Sequence, residues 1–269
     1  MLRPRIIPCL LVRDKGLVKT VRFRDGKYIG DPINAVKIFN EKEADELMVL
    51  DIDATRDGRG PDYSLIQRMA AECRMPLCYG GGVRNVDDAR HIIGLGVEKV
   101  AISAAALERP ALVTEIAAAV GSQSVVVVLD VRKKLVGARW EIMARNGTVG
   151  TGRCPVEFAG ELETLGAGEI VVNSIDNDGA MKGYDLALAD RVRRSTSLPL
   201  TILGGAGSLA DIEGLVDRFG IIGAAAGSLF VFKGPYRAVL INYPGLAERD
   251  RIARSARVAL GSGANEAMR

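Results

Sequence analysis

The sequence predicts an α/β fold: a single (β/α)8 barrel built from two half-barrel repeats. Three observations carry this. Eight short, β-branched-rich runs alternate with amphipathic helical stretches. The runs are almost continuously apolar, as strands of a parallel sheet covered on both faces must be. The chain also repeats itself. Glu46 and Glu169, Asp53 and Asp176, Pro76 and Pro199, Gly82 and Gly205, and Asp88 and Asp211 all lie 123 positions apart. One constant offset over five pairs divides the barrel into two copies of a four-strand half.

The elements follow in order. The first strand is IIPCLLV (6–12), and it runs into a charged loop, Arg13-Asp14-Lys15-Gly16. The segment 13–31 is a long insertion before a helical stretch at 32–44. Strand two, LMVLDID (47–53), precedes a helix at 64–73. Strand three, PLCYGG (76–81), precedes one at 86–95, and strand four, KVAIS (99–103), one at 110–120. The very apolar fifth strand, SVVVVLDV (124–131), leads into a second insertion, 132–152. There Asn146-Gly147 marks the turn of a small hairpin. A helix at 154–165 follows. Strands six, EIVVNSID (169–176), and seven, LPLTILGG (198–205), are followed by helices at 186–195 and 208–218. IIGAAAG (221–227) is strand eight. Eight such units closing on themselves give the barrel. A doubly wound open sheet is the competing architecture, but it would carry its glycine fingerprint after the first strand, and here the glycines come late. The barrel is expected over 1–246. A charged, then small and polar tail at 247–269 is expected to be partly disordered.

Composition narrows the function classes. The chain has 269 residues, 48% hydrophobic, 26% charged and 5% aromatic, with a net charge of +3. The cations are dispersed, which speaks against nucleic acid and membrane as partners. No apolar run is long enough to span a bilayer, and no leader-like stretch opens the sequence. Cys9, Cys73, Cys78 and Cys154 have no paired spacing and read as reduced thiols of a cytoplasmic protein. His91 stands alone in a helical stretch, so no metal site is expected, and no cofactor.

In such barrels the site lies at the C-terminal strand ends. Strands three and seven end in Gly81-Gly82 and Gly204-Gly205. Strands four and eight end in Ser103-Ala104 and Gly227-Ser228. Small residues there let backbone N–H groups approach an anion, twice over and on opposite sides, which points to a substrate with two separated phosphates. Tight βα turns alone would need the same glycines. Asp51, Asp53, Asp130, Asp176 and Asp178 are the carboxylates at strand ends. Asp130 is the favoured acid–base candidate. Asp51 and Asp176 would serve equally well as loop ties. At the opposite end Arg5, Glu46, Lys99 and Glu169 each open a strand, and form either a closed ring of charge or ordinary surface.

The segments RIIPCL, GDP (30–32), DELMVLDI, GGGV, EKVAIS, SQSVVVVLD, GAGEI, SIDNDG with GYD, and GGAG span roughly residues 1–240. Together they resemble the cyclase subunit of imidazole glycerol phosphate synthase, of histidine biosynthesis. The resemblance implies a glutaminase docked on the N-terminal barrel face. It makes Arg5, Glu46, Lys99 and Glu169 an ammonia gate. It implies phosphate binding by Lys19, Gly82, Ser103 and Ala104 at one end, and by Asp178, Gly179, Gly205, Gly227 and Ser228 at the other. The family uses two aspartates; one falls on Asp130, the other on Leu11, which cannot move a proton. Asn-Thr is usual where Ser103-Ala104 stand.

These departures resemble a branch linked to surface polysaccharides, in which a separate amidotransferase makes acetamidino sugars with ammonia from such a barrel. That is the first expectation for function. The alternatives are an ordinary histidine-pathway cyclase and a non-catalytic scaffold for a glutaminase.

Overall fold

A computed structural model describes residues 3–134 and 139–266; residues 135–138 of the second insertion and 267–269 of the tail lie outside them. Eight parallel strands close into a barrel: β1 Arg5–Arg13, β2 Leu47–Asp51, β3 Leu77–Gly80, β4 Lys99–Ile102, β5 Val125–Lys133, β6 Glu169–Ser174, β7 Leu200–Leu203 and β8 Gly223–Ala226. Each pairs with the next, and β8 returns to β1 through Arg5↔Gly223 and Ile7↔Ala225. The expected (β/α)8 barrel is therefore what the chain forms.

Helices α1 Pro32–Glu41, α2 Tyr63–Glu72, α3 Val86–Gly94, α4 Ala111–Val120, α5 Pro155–Thr164, α6 Leu186–Arg193 and α7 Leu209–Phe219 cover the strands. Their starts are written in the sequence. Asp31 accepts from Asn34 N, and Pro32 follows where an N–H would have no partner. Asp62 and Asp185 cap α2 and α6 in the same way, 123 positions apart; Asn85 and Ser208 do so for α3 and α7. The repeat is thus one of backbone hydrogen bonds. Leu47 N donates to Pro76 O and Ile170 N to Pro199 O, each at 2.9 Å.

Leu246–Glu266 form a helix, α8, which packs against α7 and buries Ile252 and Ala256. Its Arg249 donates to Glu43 O after α1. α8 therefore lies in the helical ring between α7 and α1. Ile252 and Ala256 lie among many charges in the sequence, so a reading for amphipathic stretches passes over them.

Both long strands, β1 and β5, run past the barrel rim and fold back. Strand Gly16–Val21 returns antiparallel to β1, with Leu11↔Val18 and Arg13↔Gly16 in register. The two turn residues, Asp14 and Lys15, have φ of 47° and 64°, the geometry of a tight hairpin. Trp140–Ala144 returns along β5 with Asp130↔Met143. The expected hairpin turn at 145–148 is present.

Candidate active site

Strand alternation sorts the barrel interior into layers. Ile7, Cys9, Met48, Cys78, Ala101, Val126, Val128, Val171, Leu203 and Ala225 form one apolar cluster inside the sheet, with Leu11 and Leu50 against its upper edge. Period two carries the inward face of β1 through Ile7, Cys9 and Leu11, and that of β5 through Val126, Val128 and Asp130.

The cavity above this cluster is lined by Leu11, Lys19, Gly82, Ser103, Ala104, Asp130, Asp178, Gly179, Gly205, Gly227 and Ser228. Every residue that the resemblance named for the top of the barrel thus lines one cavity; of the other strand-end carboxylates Asp51 lines it too, and Asp53 and Asp176 do not. Asp130 is half-buried at the cavity wall, and desolvation there pushes its carboxyl up to about 7, against the opposing pull of a bond from Asn173. Asn173 Nδ2 donates to Asp130 Oδ1 at 2.9 Å. Lys19 Nζ donates to Cys9 O at 2.6 Å, and burial holds its pKa below the usual lysine range. A Cβ on Gly227 would collide with that ammonium.

The two halves build the same turn twice. Gly81 and Gly82 have φ of 122° and 75°, and Gly204 and Gly205 have 92° and 115°. A Cβ on Gly81 would run into Asp51 O, and one on Gly204 would lie 2.6 Å from Ser174 O. Asp51 and Ser174 are again 123 positions apart. Beside each turn a short helix begins at the cavity wall, Ala104–Glu108 in one half and Ser228–Val231 in the other. Ser103 makes no side-chain cap to its helix.

Asp178 receives Thr20 Oγ1 at 2.8 Å and Phe23 N at 3.2 Å, so its carboxylate pins the β1 insertion across the mouth. Burial raises its pKa, with Lys19, Thr20 and Phe23 opposing. Asp51 accepts from Asp53 N and Ala54 N, and Asp176 from Lys133 N; these two tie loops. The sequence named Asp53 only as one of the strand-end carboxylates open to acid–base work. It is a buried hub that receives Arg13 Nε at 2.7 Å, Asn146 Nδ2 at 3.0 Å and Arg56, joining three mouth loops. No local pattern announces it, because its partners come from distant segments.

At the other end, the four strand-opening charges form a closed ring. Arg5 pairs with Glu46 and, at 2.8 Å, with Glu169; Lys99 Nζ lies 2.9 Å from Glu46 and 2.8 Å from Glu169. Thr201 Oγ1 adds a bond to Glu169. Both glutamates are buried. Burial opposes the charge of Glu169, but Arg5 and Lys99 hold its pKa below the usual range. Burial likewise opposes the charge on Lys99, yet the two carboxylates keep its pKa raised.

No group of three or more metal-ligating side chains occurs among the described residues, and no described helix is long and apolar enough to cross a membrane.

Comparison with known proteins completes the picture. The family described as histidine biosynthesis protein matches residues 5–236. A Vibrio vulnificus protein named "Putative imidazole glycerol phosphate synthase subunit hisF3" is 58% identical over 251 residues, 93% of this chain and 96% of its own. A Leptospira borgpetersenii protein, "Putative imidazole glycerol phosphate synthase subunit HisF", is 53% identical, covering 94% and 99%. The Hyphomonas neptunium "Imidazole glycerol phosphate synthase subunit HisF" is 44% identical over 86% of this chain and 91% of its own.

Proposed function

The chain belongs to the histidine biosynthesis protein family, with HisF subunits among its relatives, and from that premise we propose that it is the ammonia-accepting synthase barrel of an imidazole glycerol phosphate synthase-type pair. A glutaminase docks on its N-terminal face. Ammonia passes the ring of Arg5, Glu46, Lys99 and Glu169, crosses the apolar interior and meets a bis-phosphorylated substrate at the top. The observation that carries this reading is the alignment of three features on one axis: the closed charge ring, the apolar cluster above it, and a cavity with one glycine turn from each half-barrel.

Each part has a chemical task in this reading. Lys19 and the backbone around Gly82, Ser103 and Ala104 hold one phosphate. Gly179, Gly205, Gly227 and Ser228 hold the other, with Asp178 fixing the loop between them. Asp130, with a pKa near neutrality, exchanges the proton as ammonia attacks a carbonyl and the ring closes. An apolar interior suits neutral ammonia, since desolvating an ion there is costly.

A second reading rests on the upper rim of the first half. Leu11 and Leu50 stand where the second half has Asp130 and Asn173, so at this rung only the second half carries an acid. This favours delivery of ammonia to a separate amidotransferase that forms acetamidino sugars. The names of the relatives favour the histidine-type reading instead, and it takes precedence here.

The deciding experiment supplies ammonium and the phosphoribulosyl carboxamide intermediate and follows cleavage and ring closure. Turnover that is abolished by Asp130→Asn is expected. If the intermediate is inert, and a deletion strain loses an acetamidino sugar, the second reading replaces the first. If the Asp130→Asn protein restores that sugar fully, the barrel acts as a scaffold.

A further inference from the structure

Asn173 was not among the residues read from the sequence, yet it is the nearest polar neighbour of Asp130. It lies one strand over, on β6, in the rung Asp130↔Asn173, and it lines the same cavity. Its side chain is buried. The amide nitrogen is spent on Asp130 Oδ1 at 2.9 Å. The amide oxygen is not spent: no donor among the described residues reaches Asn173 Oδ1. That oxygen lies against the second glycine turn, where a Cβ on Gly204 would come within 3.1 Å of it.

A buried acceptor without a donor costs about 1–3 kcal/mol. The fold does not require a polar group at this rung. The corresponding rung of the first half is Leu11↔Leu50, and both side chains there are apolar. The orientation of the amide is also fixed. With Asp130 ionised, turning it over would set Oδ1 against the carboxylate, two acceptors face to face, so the bond from Nδ2 is the one that serves the charged form. Below it the interior is apolar, so Asn173 offers the first amide acceptor above Val128 and Val171.

We infer that Asn173 is the positioning residue of Asp130, and that its amide oxygen accepts a hydrogen bond from an N–H or O–H of the bound reactants beside the Gly204 turn. The second half of this rests on the proposed function, which supplies two such donors: ammonia arriving from the interior, and a hydroxyl of the phosphorylated substrate. Nδ2 holds one carboxylate oxygen and leaves Oδ2 for proton exchange. Oδ1 orients the donor so that the transfer distance is set before reaction.

The test uses the full chain with its glutaminase, in three forms: wild type, Asn173→Leu, which copies Leu50, and Asn173→Ser, which loses the same contacts with less bulk. Carboxyl-carbon NMR, assigned with Asp130→Asn, follows the titration of Asp130. Loss of the bond to the charged form moves that titration upward in both variants. A residue with a merely structural role would leave it in place. Steady-state kinetics with ammonium chloride and the phosphorylated substrate then identify the donor. A KM for ammonium raised about 10-fold, the scale of one hydrogen bond, with the substrate KM unchanged, assigns Oδ1 to ammonia. The reverse pattern assigns it to a substrate hydroxyl. An unmoved Asp130 titration in both variants overturns the positioning role, whatever the turnover. A moved titration with both KM values unchanged overturns the acceptor role. If wild type turns over neither substrate, the proposed function falls and the acceptor role falls with it, while the titration still decides the link between Asn173 and Asp130.

Discussion

Leu11 occupies the rung of the first half-barrel that Asp130 occupies in the second. The pairing registers establish this. Cys9↔Met48 and Leu11↔Leu50 on one side correspond to Val128↔Val171 and Asp130↔Asn173 on the other. Met48 and Val171, like Leu50 and Asn173, are 123 positions apart. The mouth is therefore symmetric in backbone and asymmetric in chemistry.

Leu11→Asp tests what that asymmetry does. A carboxyl introduced beside Leu50 and Cys9 loses hydration, and the protein is expected to lose about 1–3 kcal/mol of stability in urea unfolding. Imidazole formation is expected to rise by about 10²-fold, the lower range of a single acid–base group. An unchanged rate in a folded variant would mean that position 11 is not the limiting deficit.

Asp130 makes stability depend on pH in a definite direction. Its native pKa is pushed up to about 7, whereas an unfolded aspartate titrates near ~3.9. Between these values the unfolded chain has released a proton that the native state keeps, so stability falls as pH rises from about 4 to 7. The Asp130→Asn protein lacks this contribution. Its melting temperature is expected to decline less than that of wild type over the same window. Parallel curves would refute the raised native pKa.

Removing Lys99 leaves two buried glutamates facing one arginine. Breaking a buried ion pair from one side costs about 3–5 kcal/mol, and Lys99→Met is expected to approach the lower end because its head is partly solvated. In the complex, glutamine-dependent turnover should drop more than turnover with external ammonium. Equal losses would remove the gate from the proposal.

Gly205→Ala and Gly214→Ala should move stability in opposite directions. Gly205 has φ of 115°, and a Cβ there would strike Gly183 O; its replacement is expected to cost more than about 1 kcal/mol and to abolish protection by inorganic phosphate. Gly214 lies inside α7 with nothing within 4 Å of an added Cβ, and alanine there is expected to add about 0.5–1 kcal/mol. Thermal melts with and without phosphate check both.

Much of this was legible in the sequence. Short, β-branched apolar runs such as 124–131 read as strands covered on both faces, and the fixed spacing of Gly82 and Gly205 implied two halves. The members of the charge ring were legible because each immediately precedes or opens a strand, but the pattern alone left a closed ring and ordinary surface equally open. Other features were hidden for physical reasons. In the first half of α8 the buried Ile252 and Ala256, one turn apart, stand among arginines and acids that mask their period. The strand Gly16–Val21 is short and interrupted by charge, and the sequence reading left it inside an insertion. Asp53 and Asn173 matter through partners on other strands and loops. For Asn173 one signal existed: the same offset that pairs Gly82 with Gly205 sets it against Leu50, a polar residue where its twin is apolar.

The glycine turns have a consequence for how such a protein changes over generations. They hold their shape through backbone, while the reactive character of the mouth depends on a handful of side chains at rungs such as Leu11↔Leu50. Grip and reactivity are thus inherited separately. On the proposed function, a single codon change at position 11 would alter what the barrel can catalyse while the backbone turns that hold the ligand stay as they are, so a lineage could explore new reactions without giving up binding.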